Sequence, residues 1–353
     1  MNRPQPDFVG GENIRFGLQA SYEIDLWGRI RSTIKAEQFR AEANFTDYHA
    51  AAISLSSEIA LTWYQLMAWE NQLDLVNEQI ATNEKILMAM RARFGTGQIR
   101  GVDILRQRQL LESTREQKVF AESNVEVLEH QLAVLLGRQP QIDFQYDIQP
   151  LPELPPIPAT GIPTELIQRR PDVQSSYNQL MAADKDLAAA ISNQYPRLSI
   201  SASVFLRANS AESLFNEWAR SLAGNILAPV FYGGRLRAEV DRTEAVKDQR
   251  LYEYGQTVLV AFREIEDALI LEIKQEERIE VMQKQLDLVG QTYRQLQIEY
   301  FNGLSDYLDV LAALNQEQQI RRNLIAANMT KLEYRIALYR ALAGGFVTDR
   351  ETG

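Results

Sequence analysis

The sequence contains no cysteine and only two histidines among its 353 residues. The first absence excludes disulfides, thiolate metal sites and cysteine nucleophiles, and His49 and His130 alone leave little for histidine chemistry. With 37 basic against 47 acidic residues the net charge is −10, which disfavours nucleic-acid binding. No run of about 20 apolar residues predicts a membrane-spanning helix. We therefore expect no cofactor, no metal site and no nucleic-acid partner.

Proline is absent from two long stretches, residues 7–139 and 230–353, whereas seven of the twelve prolines fall within 140–163. Because proline removes a helical hydrogen bond and clashes with the preceding turn, its absence permits very long helices. Helices of about 65 residues would be about 100 Å long, which exceeds any globular core. The segment 138–163 is predicted to be an extended linker.

The two halves on either side of this linker repeat each other at an offset of 206 residues. Residues 27–29 (WGR) align with 233–235 (GGR), and Gly97 aligns with Gly303. An apolar seam with 3-4 spacing also recurs, at Leu73, Val76, Ile80, Leu87, Met90 and Phe94 and again at Ile279, Met282, Leu286, Tyr293, Leu296 and Tyr300. Both halves are therefore predicted to contain the same coiled-coil helix.

Just before each long helix the period of the pattern changes to 2. Apolar and polar residues alternate over 16–26, 198–206 and 222–232, which predicts strands with one apolar face. The second and third strands should form a hairpin. Strands of this length with aromatic ends match the weak signature of an outer-membrane β-barrel, and an amphipathic sheet on a soluble core is the alternative.

The predicted fold is mainly α with a small β part. The expected elements are strand 14–26, helix 29–94, turn 95–101, helix 102–137, linker 138–163, helix 164–194, strand 197–207, strand 221–232, helix 235–301, turn 302–305 and helix 306–343. They form a first repeat at 1–137, the linker, a second repeat at 164–345 and a tail at 346–353. The helix at 164 and the strand at 197 lack counterparts 206 residues earlier. We therefore expect an N-terminal truncation of about one helix and one strand, plus any export signal.

Three or four strands cannot close a barrel in lipid, where every edge group needs a partner. Closure is therefore expected to come from several copies of the chain. Since lumen and lipid faces alternate along such strands, the first strand would direct its polar residues, Gln19, Ser21, Glu23 and Asp25, into the barrel lumen. On a soluble sheet the same residues would simply face solvent.

Five segments carry a family resemblance: YEIDLWGRIRS, RFGTGQIRGVDIL, EYFNGLSDYLDVL, ELIQRRPDV and NQYPRLSISASVF. In this order, and with this repeat, they resemble the TolC-like outer-membrane efflux factors of the branch paired with resistance-nodulation-division (RND) pumps. The resemblance implies a homotrimer in the Gram-negative outer membrane, with a 12-stranded lipid-embedded β-barrel and a hollow periplasmic α-barrel of long antiparallel coiled-coil helices. It also implies passive export of small molecules or drugs, with a periplasmic adaptor (membrane fusion protein) and an inner-membrane RND-type pump as partners.

The resemblance assigns roles to the residues around the two helix–helix turns. The resemblance implies that the adaptor docks on Arg93, Phe94, Gly97 and Gly303. For the two glycines, a purely structural role as turn residues is the alternative. For the pore constriction or gate, the resemblance implies an acidic ring at Asp309 and an apolar constriction at Leu308. It also implies gate-tethering positions at Asp103 and Tyr300.

A ring of like charges at a narrow pore favours cations, whereas an acid in the first helical turn also stabilises the helix dipole. Both interpretations remain open for Asp103 and Asp309. The sequence departs from the family at Ser305, where some members carry a gate arginine, and at Ala312, where many carry a second aspartate.

Two other functions stay open at this level. The outer-membrane duct of a type I protein-secretion system shares the fold, although ELIQRRPDV and the linker favour the pump-linked branch. A soluble coiled-coil scaffold would explain the repeat and the heptads but not the alternating strands. An enzyme is not predicted, because no nucleophile, base or set of metal ligands converges in the sequence.

Overall fold

The structure is a computed structural model that describes residues 14–140, 146–156, 168–208 and 218–342. Its elements in chain order are β1 Ile14–Ile24, α1 Arg29–Gly95, α2 Gly101–Leu135, α3 Pro171–Ser192, β2 Arg197–Ala208, β3 Trp218–Leu227, α4 Arg235–Phe301 and α5 Tyr307–Leu342. The fold is mainly α with a small β part, as the sequence predicts. In the described part of the chain, no helix has the combination of length and apolar composition that crossing a membrane requires.

The strands differ from their predicted bounds. β1 ends at Ile24, two residues before the predicted end, and β3 spans Trp218–Leu227 in place of 221–232. Pro229 follows β3 and has no amide hydrogen to donate to a sheet ladder. Val230 and Phe231 lie beyond it and are 92% and 87% exposed, so they belong to the connection to α4.

The helix after the linker was predicted to run without a break from 164, but it is interrupted at Arg170: residues 168 and 169 are helical, and α3 begins at Pro171. Proline is suited to the first turn of a helix, because the amide hydrogen that it lacks has no partner there. Residues 164–167 lie outside the described residues. α2 ends at Leu135, before the predicted end at 137, and Gly137 follows with a positive φ of 69°.

The chain packs as two compact units that cut across the predicted repeats. The first unit comprises the chain up to Phe45 together with Gln174–Gln256, and the second comprises Thr46–Val173 and the chain from Thr257 onward. Each unit contains a part of α1 and a part of α4. The division into repeats at 1–137 and 164–345 therefore remains a prediction about sequence similarity.

The first unit contains a three-stranded antiparallel sheet in the order β1-β2-β3. The predicted hairpin between the second and third strands is confirmed, with Ser203 opposite Ser221. β1 pairs along the other side of β2, with Gln19 opposite Ser203. This register places most of the apolar residues of the three strands on one face, where Leu18, Tyr22, Leu222 and Ile226 are 70–78% exposed.

The second unit holds the linker in place through side chains of the helices. The Tyr146 hydroxyl lies 2.9 Å from Glu70 Oε1 and 2.8 Å from Glu129 Oε1, and its ring packs edge-on against Trp63. Further along, Arg335 donates a 2.7 Å hydrogen bond to the Pro155 carbonyl. Residues 146–156 form neither helix nor strand, so these side-chain contacts, and not a hydrogen-bonded ladder, position them.

A buried polar network runs between α1, α2 and α5 in the second unit. Asn83 is fully buried and donates to Thr114 Oγ1 at 3.1 Å, while its Oδ1 accepts from Gln318 at 3.2 Å and its carbonyl accepts from Gln107 at 3.2 Å. The network continues from Gln107, whose Oε1 accepts a 2.6 Å hydrogen bond from the Tyr307 hydroxyl. Buried polar groups of this kind require partners at fixed positions, so the network specifies how the three helices align.

Replacing Asn83 tests the strength of this network. Asn83→Ala should lower the free energy of unfolding by about 1–3 kcal/mol, because Gln107, Thr114 and Gln318 would lose buried hydrogen-bond partners. Denaturant titration of the purified protein, followed by helical circular dichroism, measures the change. Asn77→Ala is the matched control, since Asn77 is exposed on the same helix; equal effects of the two substitutions would contradict the role of the network.

Candidate functional site

The turn between α1 and α2 closes on a glycine in the left-handed conformation. Gly97 has a φ of 72°, and its amide donates to the Phe94 carbonyl at 2.9 Å. The next amide, that of Gln98, donates to the Arg93 carbonyl at 3.0 Å. These two bonds define the Schellman motif, in which glycine at the turn avoids the steric cost of a side chain at positive φ.

The turn between α4 and α5 uses the same motif 206 residues later. Gly303 has a φ of 75°, its amide donates to Tyr300 at 3.1 Å, and the Leu304 amide donates to Glu299 at 2.9 Å. The predicted repeat is therefore visible in the hydrogen bonds of the two turns. Both turns lie in the second unit.

Aromatic and cationic side chains of the two turns contact one another. The Arg93 guanidinium lies over the rings of Phe301 and Tyr300, at 4.9 and 5.8 Å from their centroids. Tyr300 in turn lies 5.5 Å from the buried ring of Tyr307. Two of the predicted docking and gate residues, Arg93 and Tyr300, thus bind each other across the turns by a cation–π contact.

Burial raises the pKa of Tyr300 above its usual value, and the negative charge of Asp103 adds to this rise, while Arg93 and Arg100 oppose it. The phenol is therefore a neutral hydrogen-bond donor at physiological pH. No hydrogen bond joins it to Asp103 within the described residues, so the tethering role predicted for this pair remains a prediction.

The two predicted gate aspartates lie in different environments. The Asp103 side chain is only 3% exposed and pairs with Arg100 at 3.2 Å and with Arg106 at 3.5 Å. Asp309 is exposed and accepts a 3.1 Å hydrogen bond from Ser305 Oγ. Among the described residues no cation lies within ion-pair distance of Asp309, so its charge is available to solutes and ions.

Apolar residues of the turns are exposed in the protomer. Leu308, the predicted constriction residue, is 50% exposed, and Leu304 is 78% exposed. Phe94, which the seam pattern predicts to be inside the coiled coil, is 49% exposed. It lies at the end of α1, where no further turn of helix covers it.

Three of the predicted lumen residues share one face of the sheet. Gln19, Ser21 and Glu23 lie opposite Ser203, Ser201 and Ser199 in the β1–β2 register. Glu23 also binds Arg29 at 2.9 Å. The polar row is thus continuous across the strands, and a lumen position for it remains a prediction.

Asp25 departs from the prediction that it belongs to the polar face of a strand. It follows the end of β1, and its carboxylate accepts the Ile30 and Arg31 amides at 3.0 and 2.9 Å. The amides of the first helical turn have no partner within the helix. Asp25 therefore acts as a cap for α1, and the early end of β1 at Ile24 is the reason.

Sequence reasoning missed Arg100, Tyr307 and Gln107. Arg100 binds Asp103 and also Asp306 of the other turn, at 3.0 Å, and nothing in a single arginine before a helix predicts two partners. Tyr307 and Gln107 are buried, although a glutamine at a helical position usually faces water. The signal available in the sequence was the offset of 206, which pairs Arg100 with Asp306 by position.

Long helices joined by tight turns, with a small sheet that leaves its apolar face uncovered, are typical of an outer-membrane duct. The model of the outer membrane efflux protein family matches residues 10–138 and 162–344. The chain therefore belongs to the outer membrane efflux protein family. It is a TolC-like efflux protein of the Gram-negative outer membrane.

Relatives match almost the whole length of this chain. The pyoverdine export outer membrane protein OpmQ of Pseudomonas aeruginosa is 29% identical over 336 residues, which are 95% of this chain and 71% of OpmQ. The toluene efflux pump outer membrane protein TtgF of Pseudomonas putida is 29% identical over 93% of this chain and 69% of TtgF. The solved structure of CusC superimposes with a TM-score of 0.89 and 25% identity, over 95% of this chain and 79% of CusC.

Gly97→Ala should destabilise the first turn by about 1 kcal/mol, because a side chain at positive φ is strained. The strain would appear as faster amide hydrogen exchange at residues 96–99. Gly95→Ala is the control, because Gly95 is the last residue of α1 and has open space at the Cβ position. If both substitutions leave the exchange unchanged, the turn does not depend on the left-handed glycine.

Proposed function

We propose that this protein is the passive exit duct of a tripartite efflux system, a homotrimer through which small molecules leave the cell. A periplasmic adaptor and an inner-membrane pump of the RND type would deliver the molecules and supply the energy. The observation that carries this proposal is the sheet, whose apolar face is uncovered and whose two outer strands have no partner along one side among the described residues.

A trimer resolves both problems of the sheet at once. Neighbouring copies, together with the fourth strand per protomer that a 12-stranded barrel requires, supply hydrogen-bond partners for β1 and β3, and lipid covers the row that contains Leu18, Tyr22 and Leu222. The opposite row, with Gln19 and Ser21, then lines the lumen. The chain needs no catalytic group for this role, since transport along the duct follows the concentration that the pump maintains.

The two turns form the periplasmic end of the duct in this proposal. Phe94 and Leu304 are exposed apolar residues beside Gly97 and Gly303, and they offer a surface for the adaptor. Asp309 would form a ring of three carboxylates near the narrowest point, next to Leu308. The relatives named for pyoverdine export and toluene efflux support small molecules of varied polarity as the cargo.

Deleting the gene tests the transport role. Cells without the protein should accumulate a fluorescent small-molecule efflux substrate, and the wild-type gene should restore its export. A type I secretion duct predicts a different result, in which dye accumulation is unchanged and a protein disappears from the culture medium. That second result would overturn the proposal.

Asp309→Asn tests the acidic ring. The preference of the open channel for cations over anions should fall by about twofold or more, because three exposed carboxylates are removed from a narrow region. Planar-bilayer recordings under a salt gradient give the reversal potential that reports this preference. Asp74→Asn removes another exposed acid, which lies on α1, and is the control; an unchanged preference in Asp309→Asn would exclude the ring.

A further inference from the structure

The two turns of one protomer are joined by an ion pair between repeat-equivalent positions. Arg100 Nη2 lies 3.0 Å from Asp306 Oδ1, and the two residues are 206 positions apart, which is the offset of the internal repeat. Equivalent positions of the two repeats therefore meet. A faithful repeat would place like charges in contact, whereas this chain has opposite charges there.

The same guanidinium also binds an acid in the first turn of α2, the helix that follows Arg100. Arg100 Nε lies 3.2 Å from Asp103 Oδ2, and Nη2 lies 3.4 Å from Oδ1. The hydrogen bond with Asp103 raises the pKa of Arg100 above its usual value, with a further contribution from the charge of Asp306. One planar cation thus bridges a buried acid of α2 and an exposed acid of the α4–α5 turn.

The residues around the first turn are mainly basic, whereas those around the second turn are acidic. Residues 91–108 contain five arginines and one aspartate, while the equivalent residues 297–314 contain Glu299, Asp306 and Asp309 and no basic residue. Arg93 contacts the second turn as well, through the rings of Phe301 and Tyr300. Two cations of the first turn therefore bind the acidic and aromatic second turn.

We infer that Arg100 is a positioning residue that holds the two turns of a protomer together as one body, and that it does so through Asp306. Asp103 orients the guanidinium, and Asp306 forms the ion pair with it across the turns. Asp309 is then the exposed acid that faces solutes. The pairing is a property of the protomer, whereas its effect on conductance rests on the proposed function.

Opening a duct by moving one turn away from the other would break the Arg100–Asp306 pair. The Arg100 and Asp306 side chains are 58% and 71% exposed, so salt screens the pair and weakens it. Loss of the pair should therefore change the opening equilibrium by about two- to fivefold per protomer at low salt. At about 1 M salt the effect should disappear, since the wild-type pair is already screened.

Spin labels test the pairing directly, because the chain has no cysteine of its own. Val102→Cys and Leu304→Cys place one exposed label on each side of the pair. In the otherwise wild-type protein at low salt, pulsed dipolar spectroscopy should give a narrow distance distribution. Asp306→Asn should broaden the distribution, Asp306→Glu should keep it narrow, and 1 M salt should make wild type resemble Asp306→Asn.

Asp287→Asn is the matched control, because Asp287 is an exposed acid of α4 away from the turn. An unchanged distribution in Asp306→Asn, or equal broadening in Asp287→Asn, would overturn the inference. Bilayer recordings form the second arm, in which Asp306→Asn should raise the open fraction at low salt only. If the wild-type protein does not conduct, the proposed function fails, while the distance measurement still decides the role of Arg100.

Discussion

An unpaired sheet edge is costly in lipid, and the proposed assembly of the chain follows from this constraint. Each backbone amide or carbonyl without a partner in a hydrocarbon environment costs several kcal/mol. Within the described residues β1 and β3 are outer strands, and the face that contains Leu18 and Leu222 is uncovered. The sheet of a single copy is therefore incomplete in two respects: in the proposed trimer, other strands would pair its edges and lipid would cover its apolar face.

The internal repeat explains the rest of the architecture. It gives two long helices, α1 and α4, and two turns that close with the same hydrogen bonds on Gly97 and Gly303. The two turns share their backbone geometry but differ in the charge of their side chains. Asp103 is buried against two arginines, and its repeat partner Asp309 is exposed beside a serine. The asymmetry of the two turns is thus a matter of side chains.

Much of the fold could be predicted from the periodicity of apolar residues and from the positions of proline. The absence of proline predicted α1 and α4, and alternation predicted the β2–β3 hairpin, because both patterns reflect backbone requirements that act locally. Strand ends were less accurate: Pro229 follows the end of β3, and β1 ends at Ile24, so that Asp25 caps α1 although the alternation continues. The family match excludes the alternative of a soluble scaffold. It also accounts for the alternating strands, which a scaffold did not explain.

The positions of the two turns were predicted, but the contacts between them were not. Glycine spacing located both turns, because a left-handed residue is required there. The buried polar network was missed, since Gln79 and Asn83 are residues that usually face water, and here each is almost fully buried. The partners of Arg100 come from two different helices, and contacts between distant segments are not encoded in local spacing.

The most direct test of the central claim is the conductance of the purified protein in a planar bilayer, with the oligomeric mass determined on the same detergent sample. Our account predicts a trimer that gives small, cation-selective currents. Monomeric or dimeric material that partitions away from detergent and does not conduct would contradict it.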